Sequence, residues 1–321
     1  MLLAGDVGGT KSLLGLFQRA PKRPVPVESR AYTTSQFSSF AELLQAFARD
    51  VKAPRPIEAA AVGVAGPVVN QRATLTNVAF EISAEEITSC GIGRARLLND
   101  LEAMAHSVEV LTADELVELQ PGTPRPDGNA VIIAAGTGLG SAYLHRVNGR
   151  LRPVPSEGGH ADFAARTDRE LELVRMLRSL YGRAEVEGVL CGPGLVNLYR
   201  FTHGGRDCAA LIGVEPGGEP AAISRAALSG TCPHCVEALA MFVSAYGSET
   251  GNLALRGVAT GGVFVGGGIA PKILPLMQRG DFIDAFRSKP PMDGLLSSIP
   301  VNVILNQQAG LLGAAVYANE M

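Results

Sequence analysis

The stretch running from Gly5 to Phe17, GDVGGTKSLLGLF, decides how this chain is read. It nearly spells a P-loop, in which Gly, four residues of any kind and Gly-Lys-Ser/Thr lead from a strand into a helix. Counted from Gly5, the second Gly is due at position 10, where the chain has Thr10. A P-loop also needs a helix whose N-terminus faces the phosphates. Here KSLLGLF is short, apolar, interrupted by Gly15 and soon followed by the Pro-rich run APKRPVP. The spacing therefore predicts a strand over Leu2 to Gly5, a glycine turn, and a second strand over Ser12 to Phe17 returning beside the first. Gly8 and Gly9 can supply positive φ and turn backbone N–H groups toward an anion. Asp6 adds a condition, because a carboxylate aimed at polyphosphate repels it unless Mg²⁺, directly or through water, lies between them. The plainer alternative is a tight β-turn with a capping Asp.

Two more glycine loops follow. AVIIAA, Ala130 to Ala135, leads into GTGLG and then SAYLH, repeating the opening theme of strand, glycine turn and strand. This predicts two duplicated halves. GGVFVGGGIAPKI sets Gly266, Gly267 and Gly268 between a strand and a helix start, where missing side chains would admit an adenine or its ribose. Each loop alone also has a purely structural reading. Three on one chain favour a nucleotide cleft.

Between these loops, Phe37, Phe40, Leu43, Leu44, Phe47 and Val51 recur at helical spacing. Ile57 to Val64 reads as a buried strand ending in AGPV, and Ser83 with Glu86 as a capping box. Leu97-Leu98 ends a strand just before Asn99-Asp100 and the helix LEAMAHSVEVL. GTPRPDGN reads as a linker or exposed loop. Helical patterns cover Arg169 to Tyr181 and Val236 to Leu255, and VNVIL with AGLLGAAVYANE closes the chain as strand and helix. Strands alternating with helices predict α/β domains with mostly parallel sheets.

The 321 residues suffice for two domains around one cleft. A formal net charge of −3 with 18% charged residues leaves no basic stripe, so no nucleic-acid partner is expected. No apolar run reaches the ~18 residues that a spanning helix needs, so no membrane partner is expected. LLAGDVGG opens as a strand with no charged leader, apolar core or cleavage site. Five irregularly spaced cysteines argue against a disulfide framework. Together these features predict a cytoplasmic protein.

GDVGGT, AGPV, LTN, LLND, GTGLG, PSEGGHADF, EGVLCGPGLVNLY and GGVFVGGGI follow one another in the order of the bacterial ATP-dependent glucokinases, of the actin-like sugar kinase superfamily. The chain resembles that family nearly end to end. The resemblance implies two actin-like (ribonuclease H-like) α/β domains with an interdomain cleft. The small domain would take residues 1–110 plus 301–321 and the large one 111–300. It implies ATP-dependent phosphorylation of D-glucose at the 6-hydroxyl, with ATP and Mg²⁺ as cofactors, and a homodimer. GDVGGT then resembles that superfamily's phosphate hairpin. ATP contacts fall on Gly5, Asp6, Val7, Gly8, Gly9 and Thr10, on Gly136, Thr137 and Gly138, and on Gly266 and Gly267. Asp6 is the candidate for Mg²⁺, through water.

A hexose presents vicinal hydroxyls that both donate and accept, and carboxylates, amides and imidazoles suit them. Asn77, Asn99, Asp100, Glu157, His160 and Glu187 are of these types. The family's sugar motifs fall on Asn99-Asp100, on Glu157 and His160 of SEGGH and on Glu187, with LTN around Asn77 and Gly66-Pro67 completing the wall. From local sequence alone, Asn99-Asp100 can equally cap the next helix, and His160 can be a core histidine. Asp100 is the candidate catalytic base. At a helix N-terminus it is favoured as the ion and is a weak base, which a loose phosphoryl-transfer transition state tolerates.

The chain departs from the family pattern at Lys11, where Asn is frequent, at Phe80, where Trp is usual, and at Cys191, where Ser is common. Cys232-Pro-His-Cys235 resembles half a zinc knuckle, and His203 and Cys208 are available as further ligands. The spacing matches no common structural zinc site, and the expectation is a plain helix start with two buried thiols. A kinase for another hexose or amino-hexose, or one using polyphosphate, and a non-catalytic sugar sensor or repressor are the competing functions. The early hairpin and the negative charge speak against a DNA-binding repressor.

Overall fold

Leu2–Val7 (β1) and Lys11–Gln18 (β2) form an antiparallel hairpin in register from Leu2↔Phe17 to Val7↔Ser12, so the opening stretch is a strand turn and not a P-loop. The computed structural model describes residues 1–52, 56–75, 81–206 and 208–321. Val25–Thr33 (β3) pairs antiparallel with β2; the Pro-rich run before it hides this strand from pattern reading. Ala59–Val64 (β4) is buried at all its positions, as a parallel strand covered on both faces must be. Arg72–Thr74 (β5) and Glu81–Ser83 (β6) make a small ribbon, and Ala95–Asn99 (β7) pairs parallel with β4. The first sheet therefore runs β3-β2-β1-β4-β7.

The remaining strands are Leu116–Gln120 (β8), Ala130–Ala135 (β9), Leu139–Val147 (β10), Arg150–Ser156 (β11), Gly262–Gly266 (β12) and Val301–Ile304 (β13). They form a sheet of order β11-β10-β9-β12-β13-β8. Its first five strands repeat the first sheet's arrangement, an antiparallel hairpin extended by two parallel strands, as the doubled strand–turn–strand pattern predicts. β8 is an added antiparallel edge.

The chain divides into two compact units, Met1–Glu115 with Leu151–Pro155 and Asn306–Met321, and Leu116–Arg150 with Ser156–Leu305. The first unit thus reclaims the chain's end only from Asn306, because β13 is spent in the second sheet between β12 and β8. The chain passes between units at Glu115–Leu116. GTPRPDGN lies beyond that point as a surface loop of the second unit, tied down where the Thr123 and Arg125 amides donate to the Ser298 and Thr260 carbonyls.

In the first unit, the helix Phe40–Asp50 packs Phe40, Leu43, Leu44 and Phe47 on one sheet face. The helices Asp100–Ser107 and Ala309–Glu320 cover the other through Ala103, Leu311, Ala314 and Ala318. Ser39 and Thr167 cap their helices by accepting from the third amide on. The box expected at Ser83 is only half formed. Ser83 accepts from the Glu86 amide, but the Glu86 carboxylate turns to the Ala41 amide (3.1 Å). In the second unit the long helix Pro233–Gly257 buries Phe242 and Tyr246 against Phe282. Among the described residues, no single helix is long and apolar enough to cross a membrane.

Candidate active site

Three sequence motifs end on one edge of the first sheet. β1, β4 and β7 are parallel and in register at their carboxyl ends, Val7↔Val64 and Val64↔Asn99. The GGT turn after β1, Ala65-Gly66 after β4 and Asp100 after β7 therefore emerge side by side, where open α/β sheets hold ligands. Hydrogen bonds lace the row together. The Ala65 amide donates to the Val7 carbonyl (3.0 Å), and Asn99 Nδ2 donates to the Gly66 carbonyl (3.2 Å).

The turn itself differs from expectation, since neither Gly8 nor Gly9 has positive φ. The Gly8 amide is spent on the Lys11 carbonyl (3.0 Å), and the Thr34 hydroxyl donates to the Gly8 carbonyl (2.8 Å). These bonds brace the turn from behind. Gly5 and Val7 are buried strand residues, whereas Thr10 is exposed at the tip.

Burial pushes the Asp6 carboxyl up to about 6, the Asp100 charge adds to the rise, and Lys11 offsets part of it. Two acidic groups at one sheet end form an electrostatic deficit that a divalent cation would relieve, so the residues fit Mg²⁺. Gly310, in the first turn of the terminal helix, was missed by sequence reasoning. A β-carbon there would stand 2.8 Å from Asp6 Oδ2. Its only sequence signal is a glycine two residues into an otherwise good helix former.

Asn99 is the N-cap of the helix Asp100–Ser107 in a complete capping box with Glu102. Its Oδ1 accepts from the Leu101 (3.0 Å) and Glu102 (3.4 Å) amides. The capping reading thus holds for Asn99, and it fixes where Asp100 begins. Asp100 is exposed, with Oδ1 accepting from the Leu101 amide (2.8 Å). Asn77 and Phe80 lie outside the described residues.

In the second unit, β9 and β12 are parallel neighbours, Ala134↔Gly266, so GTGLG and the triple glycine leave the sheet on the same edge. Gly136 faces open space, and Thr137 and Gly138 are exposed. Gly267 has a local reason to be glycine: φ is +84° and a side chain would run into the Ala135 carbonyl. Gly268 faces open space.

Glu157 and His160 are exposed on either side of the turn Gly158–His160. His160 Nδ1 meets Glu185 Oε2 at 3.3 Å, so His160 is not a core histidine. Glu185 was missed, although it stands two residues before Glu187 in the same run. In the neutral tautomer whose Nδ1–H donates to Glu185, His160 presents Nε2 as an acceptor. Glu187 Oε2 accepts from the Leu139 amide (2.7 Å), joining Glu187 to the glycine hairpin. His160, Glu185 and Glu187 bring their polar atoms within 4.8 Å of one another. Cys191 performs a serine's task as N-cap of the helix Gly192–His203. Its thiol accepts from the Gly194 amide (3.2 Å) and donates to the Glu187 carbonyl (3.0 Å). Burial pushes that thiol up to about 11, keeping the proton it donates.

The doubled five-strand order, with glycine turns at the carboxyl ends of parallel strands, is the fold of the actin-like sugar kinases. The chain belongs to the glucokinase family, whose model matches residues 3–321. It is 37% identical over 340 residues to the glucokinase of a Nostoc species, covering 99% of this chain and 98% of that one. Among solved structures it resembles a glucokinase from an Antarctic psychrotroph, with TM-score 0.88, 27% identity and 100% and 99% of the two chains covered. It shares the fold of a ROK family glucokinase from Streptomyces griseus in complex with glucose and AMPPNP, with TM-score 0.67, 19% identity and 100% and 99% coverage.

Proposed function

We infer that this chain is a glucose kinase, transferring the γ-phosphoryl group of ATP to the 6-hydroxyl of D-glucose and releasing ADP and glucose 6-phosphate. Membership of the glucokinase family over residues 3–321 supports the substrate and the reaction. The structural relative with bound AMPPNP supports ATP as donor. The carrying observation is that Asp100 and the hairpin's Asp6 share one sheet edge and feel each other's charge. This supports a reading in which a base for the sugar hydroxyl stands beside the group that would steady the phosphates.

In this reading Asp100 accepts the 6-hydroxyl proton as that oxygen attacks the γ-phosphorus. Its weak basicity suffices because a loose transition state needs little early deprotonation, and positioning supplies most of the rate. Glu157, Glu187 and the Nε2 of His160 accept from sugar hydroxyls, Glu185 holding the imidazole in register, and Asn77 and Asn99 complete the sugar contacts. Asp6 would hold Mg²⁺ through water, and the ion when bound neutralises phosphate charge. The Gly9 and Thr10 amides steady the phosphates, Gly8 bracing the turn through Lys11 and Thr34, while Gly136 to Gly138 and Gly266 to Gly268 take the nucleotide. The protein acts as a cytoplasmic homodimer opening glycolysis; light scattering of the purified protein tests the dimer.

The test is Asp100→Asn with glucose and ATP both saturating. Turnover should fall roughly 10²-fold or more while glucose still binds, as for loss of a general base. A kcat near wild type would remove Asp100 from the role. A panel of hexoses and phosphoryl donors, read as kcat/KM, tests the whole reading. Higher values for mannose or glucosamine than for glucose would reassign the substrate, and absence of turnover with every sugar would make the chain a sensor.

A further inference from the structure

Away from the candidate active site, in the second unit, three separate segments bring four soft ligands together. His203 ends the helix Gly192–His203, Cys208 follows in the next loop, and Cys232 and Cys235 stand at the start of the helix Pro233–Gly257. Their four ligand atoms all lie within 4.8 Å of one another. Cys208 Sγ is 4.0 Å from Cys235 Sγ, and Cys232 Sγ is 3.3 Å from His203 Nε2. A tetrahedral zinc with bonds of about 2.3 Å to sulfur and about 2.0 Å to nitrogen sets its ligands about 3.8 Å (S···S) and about 3.5 Å (S···N) apart. These two edges match that geometry to a few tenths of an ångström, and the other four lie within 4.8 Å.

The surroundings are also those of a metal site. His203 Nδ1 lies 2.8 Å from the Tyr199 carbonyl, so the proton sits on Nδ1 and the Nε2 lone pair points to the sulfurs. Such an outer hydrogen bond is what orients metal-binding histidines. Cys232 is the N-cap of its helix, yet its side chain makes no capping hydrogen bond. Cys191, at the same position of its own helix, accepts from the Gly194 amide. One cysteine caps; the other turns away toward His203, Cys208 and Cys235.

We propose that His203, Cys208, Cys232 and Cys235 bind a structural zinc ion. Three thiolates and an imidazole fill a tetrahedral shell, leaving no position for substrate. Binding releases the three thiol protons to solvent, so affinity rises with pH. The ion clamps the end of one helix to the start of the next. That second helix carries Tyr246, whose hydroxyl accepts from the Ala135 amide (3.2 Å) directly before GTGLG. The sequence names these four residues, but their spacing matches no common zinc site because they come from three segments, only two of them in a Cys-x-x-Cys pair; the fold brings them together.

The experiment is metal analysis by mass spectrometry of full-length protein purified without chelator or added zinc, then repeated after incubation with equimolar zinc and gel filtration. About one zinc per chain is expected, falling to near zero in Cys232→Ser and in Cys235→Ser and unchanged in Cys90→Ser. Wild-type protein holding below about a tenth of an equivalent after incubation overturns the proposal. So does full zinc retention in the two serine variants, or iron in place of zinc. Should the serine variants fail to fold, wild-type protein exchanged with Co²⁺ decides. The expected result is thiolate-to-cobalt charge transfer with the visible bands of a tetrahedral site, and their absence overturns the assignment.

Discussion

Gly310 shows how one residue without a side chain serves a charged site. Its α-carbon packs where a β-carbon would press within 2.8 Å of the Asp6 carboxylate. Gly310→Ala should displace Asp6 while barely touching the helix, because alanine is the better helix former. The expected result is a loss of roughly tenfold or more in kcat/KM for Mg·ATP, about 1.4 kcal/mol of transition-state stabilisation, with glucose affinity unchanged. Initial rates at varied ATP and saturating glucose check this. Cys191 gives a second test at this scale. Cys191→Ser keeps the cap and the bond to Glu187, so its urea midpoint should match wild type, whereas Cys191→Ala should lose ~1 kcal/mol.

The helix Asp100–Ser107 is held by its cap as well as by its buried face. Asn99 closes a capping box with Glu102 and ties itself to Gly66, so cap, neighbouring strand end and candidate base form one unit. Asn99→Ala removes both the acceptor for two amides and the tether. Stability should fall by ~1 kcal/mol, and kcat should fall as Asp100 loses its fixed start. Asn99→Asp restores the acceptor and should recover most of the stability but not the tether. Urea unfolding and kcat, measured on both variants, separate the two contributions.

For the first unit as a whole, the helix formed by residues 309–320 returns from the far end of the sequence to cover the sheet that residue 2 begins. His106 lies buried against that helix, its ring edge-on to Tyr317 at 4.9 Å. Burial pushes its pKa down to about 4; Glu320 acts in the opposite sense and Arg152 reinforces the fall. The unfolded chain takes up this proton below about pH 6.5, the folded one only near pH 4. The contribution is therefore complete above about pH 6.5 and declines as the pH drops toward 4, by at most ~3 kcal/mol. Urea midpoints at pH 7 and pH 4.5 should show this loss, and His106→Phe should flatten it.

The sequence by itself determined the periodic and punctuated features. Buried runs such as AVIIAA, glycine turns after strands, and the strand–turn–strand theme used twice are local patterns, written in consecutive residues. The motif order alone sufficed to indicate the family. Edge strands such as β3 were invisible because half-exposed residues beside prolines carry no clear period. Tertiary structure decided whatever depends on neighbours distant in sequence. Parallel pairing sets the turns after β1, β4 and β7 in one row, and it put β13 in the second sheet although the residues after it belong to the first unit. It assigned Glu185 to His160 and Gly310 to Asp6, and it gathered His203, Cys208, Cys232 and Cys235 from three segments into one cluster. Turn and strand propensities act over a few residues, whereas electrostatic coupling and metal coordination act through space, across chain separations that only the packed sheets close.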